Sequence, residues 1–158
     1  MIALRHSRRL AVAICAAAAL GALAGCGGAV GSGTPTCFLV GAAGRGDSFI
    51  VPMTAAADIA RARAIIAAPK APGPKIVVAR IARGASDGAY VNRDLTGGRA
   101  WSWRITAFEG FADVTAELLD GSPTYLEDHL DEWIAATGGR IGFWSYTVVR
   151  EVSPAEMR

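Results

Sequence analysis

From Leu10 to Ala24 the chain runs fifteen residues without a charge, directly after the basic group Arg5, His6, Arg8 and Arg9. As a helix that stretch would reach roughly 22 Å, short of the roughly 30 Å hydrocarbon core of a bilayer. A basic segment followed by a short apolar one is the layout of an export leader rather than a permanent span. The constraint on folding is direct. The apolar excess of the chain, 52% hydrophobic residues overall, is partly consumed by the leader, so the core must come from the residues after it.

The leader ends in Leu23-Ala24-Gly25-Cys26, which resembles the lipobox of bacterial lipoproteins. The resemblance implies a diacylglyceryl group with palmitate-type chains on the Cys26 thiol, cleavage after Gly25, and acylation of the new amino terminus. One acyl chain holds a protein marginally, whereas two anchor it stably. Residues 1–25 are therefore expected to be a signal peptide and Cys26 the lipid attachment site. The membrane becomes the first partner, at its extracytoplasmic face. The alternative is an ordinary secretory leader in which Cys26 is incidental.

Removal of the leader changes the cysteine arithmetic. Cys15 is lost and Cys26 is lipidated, leaving Cys37 with no partner for an intramolecular disulfide. The domain must hold itself by its core, even in an oxidising compartment. A domain of this length buries roughly two-thirds of its unfolded surface, which suffices. Cys37 precedes the apolar run that starts at Phe38, which favours a buried structural thiol over a reactive one.

The small residues around Gly27, Gly28, Gly31 and Gly33 cannot build a core. Residues 26–36 thus form a lipidated, glycine-rich tether, residues 37–152 the domain, and residues 153–158 a polar tail.

Within the domain, residues 37–40 and 48–52 are short β-prone runs around a glycine-rich segment, which predicts a hairpin. An alanine-rich stretch over 54–68, stopped by Pro69, predicts a helix. Residues 75–83 are β-branched on both faces and predict a central strand. Trp101, Trp103 and Ile105 alternate with polar residues, as do Ala112, Val114, Ala116 and Leu118, predicting two further strands. Ser122 offers an N-cap and Pro123 a first helical position. The apolar positions Leu126, Leu130, Trp133 and Ile134 lie on one face, and Gly138-Gly139 stop the helix. A last strand is predicted over 143–152. The order β-β-α-β-β-β-α-β predicts an α+β domain, a mostly antiparallel sheet of about six strands packed with two helices.

The run Trp101-Ser102-Trp103, then Glu117 before Asp120-Gly121-Ser122-Pro123, Tyr125 and Glu127, then Trp144-Ser145, resembles a family of small exported domains. Its namesake is the amino-terminal domain of a slime-mould calmodulin-binding protein. The resemblance covers residues 38–152 and points to Trp101, Trp103, Asp120, Tyr125 and Trp144 as a candidate ligand surface. The same tryptophans are equally core candidates, since Trp101 and Trp103 share one strand face. Departures from the family pattern are Arg104 at the place of a histidine, and Leu119 and Gly142 at those of a cysteine pair. Calmodulin is not an expected partner, because a bacterial lipoprotein meets none outside the cell. A calmodulin target is also a basic amphipathic helix, and residues 54–68 carry only Arg61 and Arg63.

Motifs for catalysis are sparse. After the leader His129 is the single histidine, which excludes an H-E-x-x-H zinc site, and its place beside the apolar stripe, one turn from Trp133, favours stacking on that ring over a general base. No G-x-S-x-G elbow, phosphate-binding loop or dinucleotide turn occurs, so no cofactor is expected. A net charge of +2 lacks the basic excess of a nucleic-acid binder. Arg45-Gly46-Asp47-Ser48 matches an integrin-recognition tetrapeptide in a predicted loop. Glu127, Asp128, Asp131 and Glu132 cluster on the second helix, where like charges four apart repel by about 0.2–0.5 kcal/mol per pair. They read as weak metal candidates or as a solvated face. Charge is also uneven along the chain. Residues 26–104 carry ten basic and four acidic side chains, residues 105–158 three and ten.

These features lead to a lipid-anchored binding or accessory domain, with an unidentified protein or small molecule as ligand. The alternative is a small cell-wall or carbohydrate hydrolase using a carboxylate pair such as Glu117 and Asp120, which would need the two about 5–10 Å apart across a cleft.

Overall fold

The computed structural model describes residues 34–113 and 121–157. The leader, Cys26, Glu117 and Asp120 lie outside them. The order is β1 (Thr36–Gly41), β2 (Ser48–Met53), α1 (Ala56–Ala67), β3 (Ile76–Arg83), β4 (Trp103–Ala112), α2 (Pro123–Asp128), α3 (Leu130–Thr137), β5 (Arg140–Ile141) and β6 (Thr147–Glu151). Six strands form two antiparallel three-stranded sheets, β2-β1-β6 and β4-β3-β5. The α+β class, mostly sheet, is the one the sequence predicts. Among the described residues, no helix is long and apolar enough to cross a membrane.

The β1–β2 hairpin forms in register from Thr36↔Met53 to Gly41↔Ser48. Its loop folds back where the Arg45 amide donates to the Ala42 carbonyl, at 3.1 Å, with Gly44 at a φ of 75° that a side chain would strain. Helix α1 stops at Ala67, two residues before Pro69, which lacks the amide a further turn would use. It buries Ala62 and Ile65 and packs against β6. Strand β3 is central in its sheet, as its two-faced apolar pattern requires.

Besides β5, which the sequence pattern did not show, three elements differ from it, each for a local reason. The strand predicted over 101–106 runs on as β4 to Ala112, through the stretch the sequence pattern left between two strands. Opposite β3 the register skips Thr106 and Glu109. Each extra residue flips the side chains to the other face, so Ile105, Phe108 and Phe111 all point the same way despite their spacing. The continuation over 114–118 lies outside the described residues. The single helix predicted after Ser122 is two, because His129 leaves helical geometry at φ −128° and ψ 30°. Its amide is shared between the Tyr125 and Leu126 carbonyls, at 3.1 and 3.2 Å, which tightens the turn and redirects the chain. Finally, the last strand begins at Thr147 rather than 143. The Tyr146 amide closes a turn onto the Phe143 carbonyl at 3.1 Å, with Ser145 at φ 69°.

The core lies between the sheets and is aromatic. Phe49 sits 5.7 Å from Trp103, 5.9 Å from Phe143 and 6.4 Å from Tyr146, ring centre to ring centre. Trp133 meets Phe143 edge-on at 5.7 Å, drawing α3 onto the same cluster. The sheets are also stitched by polar bonds. Asn92 accepts from the Ile50 amide of β2 and donates to the Trp103 carbonyl of β4, both at 3.0 Å. The outer edge of β2 is thereby closed by side chains instead of a further strand.

Candidate functional site

Of the five residues on the candidate ligand surface, the structure separates four. Trp101 and Trp103 are 1% and 0% exposed, so neither offers a ring face to a ligand. They stack on each other at 5.8 Å, and the Trp101 indole N–H donates to the Ser48 carbonyl at 2.9 Å. Both are fold residues, because a strand face buried between two sheets leaves no room for a ligand. Tyr125 and Trp144, at 39% and 50%, are exposed. Tyr125 is covered on one face by the His129 ring at 4.2 Å, so that histidine does stack, but on Tyr125 and not on Trp133 as its spacing suggested. Trp144 projects from the turn that shortens β6. Asp120 lies outside the described residues, as does Glu117, its partner in the hydrolase reading.

The acidic helix residues do not converge. Glu127 accepts the Ser102 amide at 2.9 Å and its hydroxyl at 3.1 Å, while Asp131 pairs with Arg83. The break at His129 sends the two carboxylates to different partners. With Asp128 and Glu132 they line an open depression of about 370 Å³. Among the described residues, no three His, Cys, Asp or Glu side chains form a group that could hold a metal ion. The two exposed arginines of helix α1 are engaged at the surface, Arg61 donating to the Pro74 carbonyl and Arg63 to Glu151.

A second depression, of about 450 Å³, opens at the loop end of the β1–β2 hairpin, lined by Arg45, Gly46, Asp47, Asp94, Gly97, Arg99 and Thr124. Three chain segments meet there. Asp47 accepts from the Thr124 amide and hydroxyl, at 3.0 and 2.8 Å, and from the Tyr146 hydroxyl. Burial opposes its ionisation, but these bonds outweigh burial and hold the Asp47 carboxyl below its ordinary range. Burial and the donated bond together push the Tyr146 hydroxyl well above its usual value. The tetrapeptide Arg45-Gly46-Asp47-Ser48 thus spends its carboxylate inside the molecule rather than displaying it.

Asp94, 3% exposed, uses Oδ1 for the Ser48 amide, the Ser48 hydroxyl and the Thr96 amide, at 3.1, 2.8 and 2.9 Å. Arg99 lies 4.3 Å over the Trp101 ring and donates to Thr124 Oγ1 at 3.0 Å. The buried Trp101 therefore serves the groove from beneath, as a platform. Sequence reasoning missed Asp94, Gly97 and Arg99. The one signal was Asp94-Leu95-Thr96-Gly97-Gly98, an aspartate ahead of paired glycines, which marks a turn closed by the aspartate side chain but not what that turn faces.

Residues 34–155 match the BP-74 N-terminal domain. The chain belongs to the BP-74 N-terminal domain family. The match takes in both sheets, all three helices and the whole lining of the groove. Among curated proteins and solved structures, none matches the chain. The residues that carry the family likeness act within the domain as packing and connection. Trp101 and Trp103 fill the core, Ser102 binds Glu127, and Ser122 caps α2 by accepting the Tyr125 amide at 3.2 Å.

Proposed function

We propose that the protein is a lipid-anchored binding domain at the extracytoplasmic face of the membrane, meeting its ligand at the groove between Arg45, Asp94, Arg99 and Thr124. The observation that carries this reading is the direction of β1. The strand starts at Thr36, beside the expected tether, and ends five residues on at Gly41, about 17 Å away at roughly 3.4 Å per residue. The groove opens at the Gly41 end. A domain held through Cys26 and the glycines before Thr36 would carry its groove on the side away from the lipid.

Chemistry within the groove supports binding. Its carboxylates are fixed by bonds to neighbouring loops, which gives a rigid arrangement of polar groups before any ligand arrives. Two measurements test the reading. Fatty-acid labelling is expected to mark the full-length protein and not Cys26→Ser, and equal labelling would overturn the anchor. Photocrosslinkers at Ala43, in the hairpin loop, and at Ala155, beyond the opposite strand end, are expected to differ in native membranes. Position 155 should capture lipid more often than position 43, and the reverse would overturn the orientation.

A further inference from the structure

The groove holds charges of both signs apart. The Arg45 guanidinium has no hydrogen-bond partner among the described residues, and Arg99 spends one of its five N–H donors, on Thr124. Neither forms an ion pair with Asp47 or Asp94 among the described residues. Flexible side chains facing one another across open water would be free to close. Here Arg99 and Asp94 are restrained. Arg99 is held by the Trp101 ring and Thr124, and Asp94 by three bonds to Oδ1. The second carboxylate oxygen, Asp94 Oδ2, accepts no hydrogen bond among the described residues, although the residue is 3% exposed. It faces Gly97, where an added Cβ would collide with it, so glycine at this position keeps the oxygen clear.

Asp94 Oδ2 is not among the buried side-chain atoms left without a partner; it is the part of this residue that the groove keeps open to solvent, and so an acceptor that a ligand's donor can reach. The same groove is lined by the Arg45 and Arg99 guanidinium groups, which themselves call for an acceptor. A neutral partner answers only by hydrogen bonds, a simple anion is repelled by Asp94, and a simple cation by the arginines. A ligand with both charges answers all three groups.

We infer that the groove binds a small zwitterion, its ammonium group donating to Asp94 Oδ2 and its carboxylate accepting from Arg45 and Arg99. This rests on the binding-domain reading above and names the class of ligand. A volume of about 450 Å³ is within the usual span of small-molecule sites and large enough for a short peptide with free ends.

The test uses the full-length protein in detergent, titrated calorimetrically with four probes: alanyl-alanine, N-acetyl-alanyl-alanine, alanyl-alanine amide, and cellobiose. Alanyl-alanine is expected to bind, and blocking either end to weaken it by at least about tenfold. Asp94→Asn keeps an oxygen for Ser48 and Thr96 and replaces Oδ2 with an amide nitrogen. It is expected to bind alanyl-alanine no better than the acetylated probe. Arg45→Gln, on an exposed loop, is expected to bring alanyl-alanine down toward the amide probe. Equal binding of blocked and free dipeptides, or no dipeptide binding at all, would overturn the inference. Binding of cellobiose alone would overturn it as well, while leaving the binding-domain reading standing.

Discussion

Asp47 accepts both the amide and the hydroxyl of Thr124, at 3.0 and 2.8 Å, and so ties the hairpin loop to the first turn of α2 across 77 positions of sequence. With Tyr146 donating to the same carboxylate, one side chain joins three loops at the rim of the groove. Replacing Asp47 with alanine strands the Thr124 amide and the Tyr146 hydroxyl. The expected cost is about 1–3 kcal/mol, read as a lower urea midpoint at unchanged slope. Asp47→Asn retains an acceptor and should lose less.

The same carboxylate predicts an acid dependence. Its folded value lies below the ordinary 3.8, so in that window the unfolded chain binds more protons than the folded one. Its contribution is present above the ordinary value and is lost as pH falls through the lower folded value. Glu109, Glu151 and Glu156 are lowered too, by their arginine partners, so the whole acid limb is shared. The difference between Asp47→Asn and the parent isolates this one group. The variant's midpoint should fall less steeply below about pH 4, and parallel curves would refute the assignment.

Asn92 is fully buried between the sheets. Asn92→Leu leaves the Ile50 amide and the Trp103 carbonyl without partners in a dry interior, at about 1–3 kcal/mol for each group. Hydrogen exchange should show the loss locally. The Ile50 amide is expected to become among the faster exchangers of β2 while the Val51 amide, which faces β1, stays protected.

Cys37 is 1% exposed, and burial pushes its thiol up to about 11. At about pH 8 almost none is thiolate, and nothing reaches it in the folded state. A thiol reagent is therefore expected to modify Cys37 at the rate of global unfolding, with full and rapid reaction in denaturant. Fast reaction in native buffer would show that the sheet opens locally around β1.

Local rules made much of the architecture readable. The hairpin, the alanine-rich helix stopped before Pro69, the central β3 and the Ser122-Pro123 helix start all come from signals a few residues long. Where the sequence misled, the cause was a change of phase or of partner. Thr106 and Glu109 each insert one residue into β4, and a period-two pattern broken twice hides that the strand runs on to Ala112. His129 interrupts a helix whose apolar spacing is unbroken, because its amide is shared between two carbonyls across one tightened turn. Trp101 and Trp103 carry a pattern common to core and to binding faces, and only the second sheet above them decides for core.

The sequence by itself determined the α+β class with its short antiparallel strands, and it carries the lipobox-like run ending at Cys26. Those depend on periodicity, capping and composition, which act between near neighbours. Only the tertiary structure decided the groove. Arg45, Asp94, Arg99 and Thr124 come from three separate segments, and nothing in any one of them specifies a charge-separated cleft. It exists because Asp47 reaches Thr124, Asp94 reaches Ser48, and Arg99 lies on a tryptophan that folding has already buried.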